Sequence, residues 1–160
     1  MEERNATGGS EVRFVGREAK GVIKSYEDLE VYQNSYRAML MVFREILPLL
    51  PKEERYDLVD QLRRSSKAIP RLIAEGYSKR HQLKGFQKYL DDAHAESNET
   101  IVSLKQAFDL YLLKDKIRVH DELIDLYDKI SRQLFNLSGA WTRLAKQRRG
   151  SEMRFEERNA

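Results

Sequence analysis

Cysteine is absent from this 160-residue chain, which excludes disulfides, thiolate metal sites and cysteine nucleophiles together. Proline occurs three times and tryptophan once. No stretch approaches the roughly 18 consecutive apolar residues of a membrane-spanning helix. The opening MEERNATGGSEVRFVG lacks the apolar centre of a signal peptide. No membrane partner is expected, and the cytoplasm is the expected compartment. No segment alternates polar and apolar with period two, so no strand is expected. A glycine-rich phosphate loop is also missing. Histidine is confined to His81, His94 and His120. A di-iron bundle needs paired Glu-x-x-His motifs on facing helices, and Asp91-x-x-His94 is a single, inexact copy. His120, before Asp121 and Glu122, reads as a solvated turn. Nothing in the chain supports a Ser-His-Asp site. The sequence therefore points away from catalysis, with no cofactor and no metal.

What is present is charge, and it is unevenly placed. The whole chain carries only +3. From Arg55 to Lys88, however, nine cations meet three acids, a local +6, while from Asp109 to Asp128 six acids meet three cations, a local −3. Four of the eight glycines (Gly8, Gly9, Gly16, Gly21) fall in the first 21 residues. Residues 1–24 read as a flexible tail, and residues 149–160, opening on Arg149 and Gly150, read as another.

Between them, over residues 25–148, the apolar spacing is helical throughout. SYED at Ser25–Asp28 has the form of a capping box. Leu29, Tyr32, Tyr36, Met39, Phe43, Ile46 and Leu47 then form a stripe, which Pro48 and Pro51 end. A second stripe is Leu58, Leu62, Ser65, Ile69, Leu72, Ile73 and Gly76. A third runs from Leu83 through Phe86, Leu90, Ala93, Ser97, Ile101, Leu104 and Phe108 to Tyr111. A fourth runs from Val119 through Leu123, Leu126, Ile130, Leu134, Leu137 and Trp141 to Leu144. The expected fold is an all-α, antiparallel up-down four-helix bundle, with helices over 25–48, 52–80, 82–113 and 116–147. Val31, Tyr89, Tyr127 and Phe135 lie off these stripes, and suit either a wide core face or self-association.

One element breaks the usual rules. QLRRSSKAIPRLIAEG (61–76) is an amphipathic helix with Pro70 in its interior. Proline cannot donate to the carbonyl of Ser66, at a cost of about 3 kcal/mol in an ordinary helix. The apolar phase holds across it, from Leu62 and Ser65 to Ile69, Leu72 and Gly76. One continuous, kinked helix is expected, with the Ser65 or Ser66 hydroxyl available to the freed carbonyls. Arg64, Lys67, Arg71 and Ser78 fall on a stripe turned away from that apolar face. The stripe meets solvent, a cavity or a partner.

This segment, with FQKYLDDAHAESNET further on, resembles the four-helix-bundle proteins encoded in intervening sequences of bacterial 23S ribosomal RNA genes. Those are related to the accessory variability proteins of diversity-generating retroelements. Gln61, Leu62, Arg63, Arg64, Ile69, Pro70, Ile73, Ala74, Glu75 and Gly76 match the family pattern, as do Ala93 and Glu99. Leu72 and Ala68 depart from it, replacing an asparagine and a serine, and Ala95-Glu96 replace Gly-Ser. Leu72 is read as substituting apolar packing. The resemblance spans about residues 25–140. It implies a ring-like homopentamer without enzymatic activity, with a basic surface toward RNA, DNA or a reverse transcriptase.

From the residues themselves, Arg63, Arg64, Lys67, Arg71, Lys79 and Arg80, with Tyr77 among them, could bind phosphates. Arg143 and Lys146, with Arg148 and Arg149, form a second cluster. A ring would multiply both. A protein-binding hub fits the same surface. Glu75 and Glu99 are expected to be buried or half-buried partners of Arg63 or Arg64, since an unpaired charge there would be costly.

Overall fold

The chain enters its first helix through a reciprocal cap, seen in a computed structural model that covers residues 23–111 and 114–159. The Ser25 hydroxyl accepts from the Glu27 amide at 3.2 Å, and the Asp28 carboxylate accepts from the Ser25 and Lys24 amides, both at 2.8 Å. The capping box is there, but it closes a 3₁₀ turn at Tyr26–Asp28. Helix α1 proper follows at Glu30–Met41. It widens into a π-turn at Val42–Ile46 and tightens to 3₁₀ at Leu47–Leu49. Pro48 cannot donate to the Arg44 carbonyl, so a regular α-turn could not persist there.

After a second 3₁₀ stretch at Lys52–Tyr56 come α2 at Leu58–Ser78 and α3 at Leu83–Tyr111. A short turn at Lys114–Lys116 leads into α4 at Ile117–Asn159. The expected tail at 1–24 lies outside the described residues for 1–22. The expected C-terminal tail is corrected: α4 continues to Asn159. Lys, Arg, Glu, Gln and Met are all good helix formers, and Gly150 costs only about 1 kcal/mol. The apolar period ends there while the helix continues.

Pairings across the bundle establish the antiparallel order. Gly76 meets Tyr89 while Ser65 meets Thr100; Asp91 meets Ser138 while Ser97 meets Ser131; Phe43 lies by Arg63 while Tyr32 lies by Ala74. Leu62, Ile69 and Ile73 from α2, Phe86, Leu90 and Leu104 from α3, and Leu123, Ile130 and Leu134 from α4 form the centre, each at most 1 % exposed. Leu72 packs at the core's edge, as expected. Hydroxyls cross the middle. Thr100 donates to Ser65 at 2.8 Å, and the Ser97 and Ser131 hydroxyls are hydrogen-bonded to each other at 2.9 Å, all four groups buried.

One expectation about helix faces changes, and one left open is narrowed. On α1 the buried residues are Val31, Ser35, Ala38, Val42 and Ile46, while Tyr36 is 46 % exposed. The small Ser35 and Ala38 let α1 approach closely, which turns the larger Tyr36 outward. Of the off-stripe residues, Val31 and Tyr127 are core and Tyr89 is half-buried, whereas Phe135 stands 72 % exposed.

Helix α2 is continuous through the buried Pro70. The Ser66 hydroxyl does not serve the carbonyl that Pro70 frees. It donates one turn earlier, to Leu62 O at 2.5 Å, and Ser65 is occupied by Thr100. Short serine hydroxyls in a helix reach back to the preceding turn, which is why neither extends forward.

Candidate nucleic-acid interface

Seen from α2, the cations divide by what neutralises them. Arg64 pairs with Asp60 at 2.9 Å and donates to Gln61 at 2.8 Å. Lys79 donates to the Tyr89 hydroxyl and lies 3.7 Å from Glu75. Tyr89 in turn donates to Glu75 at 2.9 Å. Tyr89 and Glu75 together raise the Lys79 ammonium above its ordinary value. Arg63, Lys67 and Arg71 have no acidic partner among the described residues, and all three are exposed. They stand at i, i+4 and i+8, so one edge of α2 carries a cation every turn, about 12 Å from first to last at 1.5 Å per residue.

That edge borders α1. Arg63 lies over the Phe43 ring at 5.2 Å from its centroid, and Lys67 over the same ring at 6.0 Å. A ring face attracts a cation without neutralising it, so both charges are positioned and remain available to anions. Phe43 sits in the π-turn, whose extra residue per turn re-aims its side chain relative to α1. Beside these residues Tyr32, Tyr36 and Met39 of α1 face Lys67, Pro70, Arg71 and Ala74 of α2 across an open groove of about 320 Å³. Burial, helped by nearby Tyr26, Glu27 and Tyr36, raises the Tyr32 phenol above its ordinary value.

Arg80, Arg143 and Lys146, all exposed, belong to the far end of the bundle. Arg80 stacks on Tyr77 at 4.3 Å, Tyr77 meets Phe86 edge-on at 6.4 Å, and Phe86 meets Trp141 edge-on at 4.8 Å. This aromatic chain ties the α2–α3 turn to the stretch of α4 that carries Arg143 and Lys146. The structure therefore sorts the sequence-derived cations into a side track (Arg63, Lys67, Arg71) and an end cluster. The side chains of Arg148 and Arg149 lie outside the described residues.

The carboxylates are corrected in partner. Glu75 is exposed and engages Lys79 and Tyr89. Glu99 is exposed and accepts from the Gln61 side chain. Neither meets Arg63, whose place over Phe43 removes it from α3. On α3, Glu96 is raised above its ordinary value by burial and then by Glu99. Gly76 has a clear steric role: a Cβ there would sit 2.6 Å from the Tyr89 Cβ. His120 is also corrected, from a solvated turn to a side chain 15 % exposed that packs on Phe108 at 4.3 Å. Asp91 accepts from Ser138 at 3.4 Å, and no group of three His, Asp or Glu side chains is gathered for a metal among the described residues. None of the described helices is long and apolar enough to cross a membrane. Tyr32, Tyr36, Phe43, Gln61 and Tyr89 are site residues that sequence reasoning did not assign to the surface.

These elements define a small all-α protein, an antiparallel four-helix bundle with a cationic edge. Residues 27–136 match the family described as 23S rRNA-intervening sequence protein, and the chain belongs to that family. No curated protein matches it. Pro70, Glu75, Gly76 and Glu99 now have physical roles: groove wall, partner of Tyr89 and Lys79, close helix approach, and partner of Gln61.

Proposed function

We propose that the protein is a non-enzymatic, cytoplasmic scaffold, a homo-oligomer and by family resemblance a pentamer, which binds RNA or DNA through the backbone with little sequence specificity. The observation that carries this reading is the track of Arg63, Lys67 and Arg71, exposed at one-turn intervals without an acidic partner among the described residues. Evenly spaced, uncompensated cations suit a ligand with evenly spaced anions. Such binding releases counterions, so affinity falls steeply with salt. A ring repeats the track on every subunit and concentrates its potential. The family's name ties it to 23S rRNA intervening sequences, which agrees with RNA as ligand.

A second reading is an accessory scaffold for a partner protein such as a reverse transcriptase. The apolar residues that stand open favour it, chiefly Phe135 at 72 % and Leu110 at 66 % exposure. Filter binding at two salt concentrations separates the two. The nucleic-acid reading expects a steep slope that flattens in the Arg63, Lys67 and Arg71→Gln variant, by about 0.7–0.9 for each phosphate no longer neutralised. Undetectable or salt-independent binding at low salt leaves the protein scaffold. Pull-down of a partner that survives nuclease treatment would support it.

A further inference from the structure

The groove between α1 and α2 has a composition that backbone binding alone does not require. Tyr36 is 46 % exposed at its wall. Its ring lies 6.0 Å from Tyr32 at 33°, and Tyr32 is held edge-on by Tyr26 at 4.9 Å. The aromatic wall is therefore braced from behind. Opposite stand Pro70 and Ala74, a rigid ring without an N–H and a methyl group, which leave room and offer no hydrogen bond. Lys67 and Arg71 flank Pro70 one turn apart, about 6 Å along the axis. Among the described residues no carboxylate lines the groove. Its volume, about 320 Å³, lies at the lower end of the range that ligand clefts occupy.

An occupant must then be flat and apolar at its centre and anionic on either side. The geometry points to single-stranded nucleic acid, one unpaired base entering the groove against Tyr36 while successive phosphates follow Arg71, Lys67 and Arg63. This rests on the nucleic-acid reading above and narrows it. A duplex presents phosphates but hides its base faces, so it can use the cation track and not the aromatic wall. A free mononucleotide would leave Arg63, two turns from Arg71, unused. Stacking on an aromatic face is indifferent to base identity, in keeping with little sequence specificity.

The test compares the full-length protein and its Tyr36→Leu and Tyr36→Phe variants, using a labelled ten-nucleotide RNA as single strand and as duplex at one low salt concentration. Wild-type protein should favour the single strand. Tyr36→Leu, which keeps apolar volume but loses the π-face, should weaken single-strand binding roughly five- to 150-fold and leave duplex binding unchanged. Tyr36→Phe should retain the preference. Duplex and single strand bound equally, or weakened equally by Tyr36→Leu, would overturn the stacking site while the salt-dependent scaffold stands. Loss of all RNA binding in the wild type would overturn both. Two further results count against the inference: an acidic, aromatic peptide displacing the single strand yet binding a Tyr36→Leu variant poorly, or Tyr36→Leu changing the sedimentation of the protein. The first makes the groove a peptide site, and the second makes it a contact between copies.

Discussion

At Gly76 a methyl group would lie 2.6 Å from the Tyr89 Cβ and 3.1 Å from the Phe86 ring. The nearest obstacle is the root of a side chain on another helix, which no rotamer change moves aside. Gly76→Ala should therefore force α2 and α3 apart and destabilise the fold by about 1–3 kcal/mol, read as a lower urea midpoint. Gly150, with nothing within 4 Å, is the control: Gly150→Ala should gain up to about 1 kcal/mol of helix propensity. Tyr127 tests the opposite case. Its hydroxyl is buried and has no hydrogen-bond partner among the described residues, and burial holds the phenol far above its ordinary value. Tyr127→Phe removes a desolvated group that gains nothing in return. The variant should be at least as stable as the parent, and a clear loss of stability would mean the hydroxyl does find a partner. Gly76 was legible as a small residue on the apolar face of α2. Tyr36 was not legible, because its spacing from Tyr32, Met39 and Phe43 is as regular as that of the true core set. Only the neighbouring small residues, Ser35 and Ala38, distinguish which face α1 presses inward.

Glu54 joins three elements at once. One carboxylate oxygen accepts from the Leu58 amide at 3.0 Å, capping α2, and the other accepts from the Tyr111 hydroxyl at the end of α3. The Tyr111 bond, then the Leu58 amide, lower the Glu54 carboxyl below its ordinary 4.5, and Glu54 pushes the Tyr111 phenol up to about 12. The two shifts run in opposite directions and both favour the bonded pair. The lowered carboxyl supports the fold above its ordinary pKa and ceases to as pH falls through the shifted value. The raised phenol supports it below about 10 and ceases to as pH rises through about 12. Protection of the amides in the first turn of α2, taken relative to their intrinsic exchange rate at each pH, should therefore fall at both extremes, and Tyr111→Phe should abolish the alkaline arm while weakening the acid one. Protection that is flat across both ranges would show that the latch contributes nothing. At this scale the sequence was most readable where packing sets the period, in α2, α3 and most of α4. It misled where packing ends: α4 runs on through residues 149–159 with no apolar repeat to announce it, and α1 dissolves into π and 3₁₀ turns ahead of Pro48. Both depend on backbone hydrogen bonding, which apolar spacing does not register.

The largest question concerns surface that one copy leaves open. Phe135 on α4 is 72 % exposed, Leu110 on α3 66 % and Val102 53 %. Isolated exposed apolar residues are ordinary, so their exposure does not by itself decide assembly. A homopentamer adds a demand that can be measured, since some of these positions must become buried between subunits. Phe135 is the sharpest probe because its ring is large, its helix is long, and its loss should cost the bundle core nothing. Sedimentation at micromolar concentration should give a species near five times the 18.8 kDa of one chain. Phe135→Glu should reduce that mass while circular dichroism stays unchanged, because burying an unpaired carboxylate is far costlier than losing a ring. A wild-type protein that remains monomeric rules out the ring and leaves the Arg63–Lys67–Arg71 track to act singly. The assembly and the electrostatics can then be compared directly. If subunits share one ligand, the salt slope of nucleic-acid binding should exceed what three cations allow at about 0.9 per phosphate. It should fall back to that limit in Phe135→Glu, even though none of those cations has been touched.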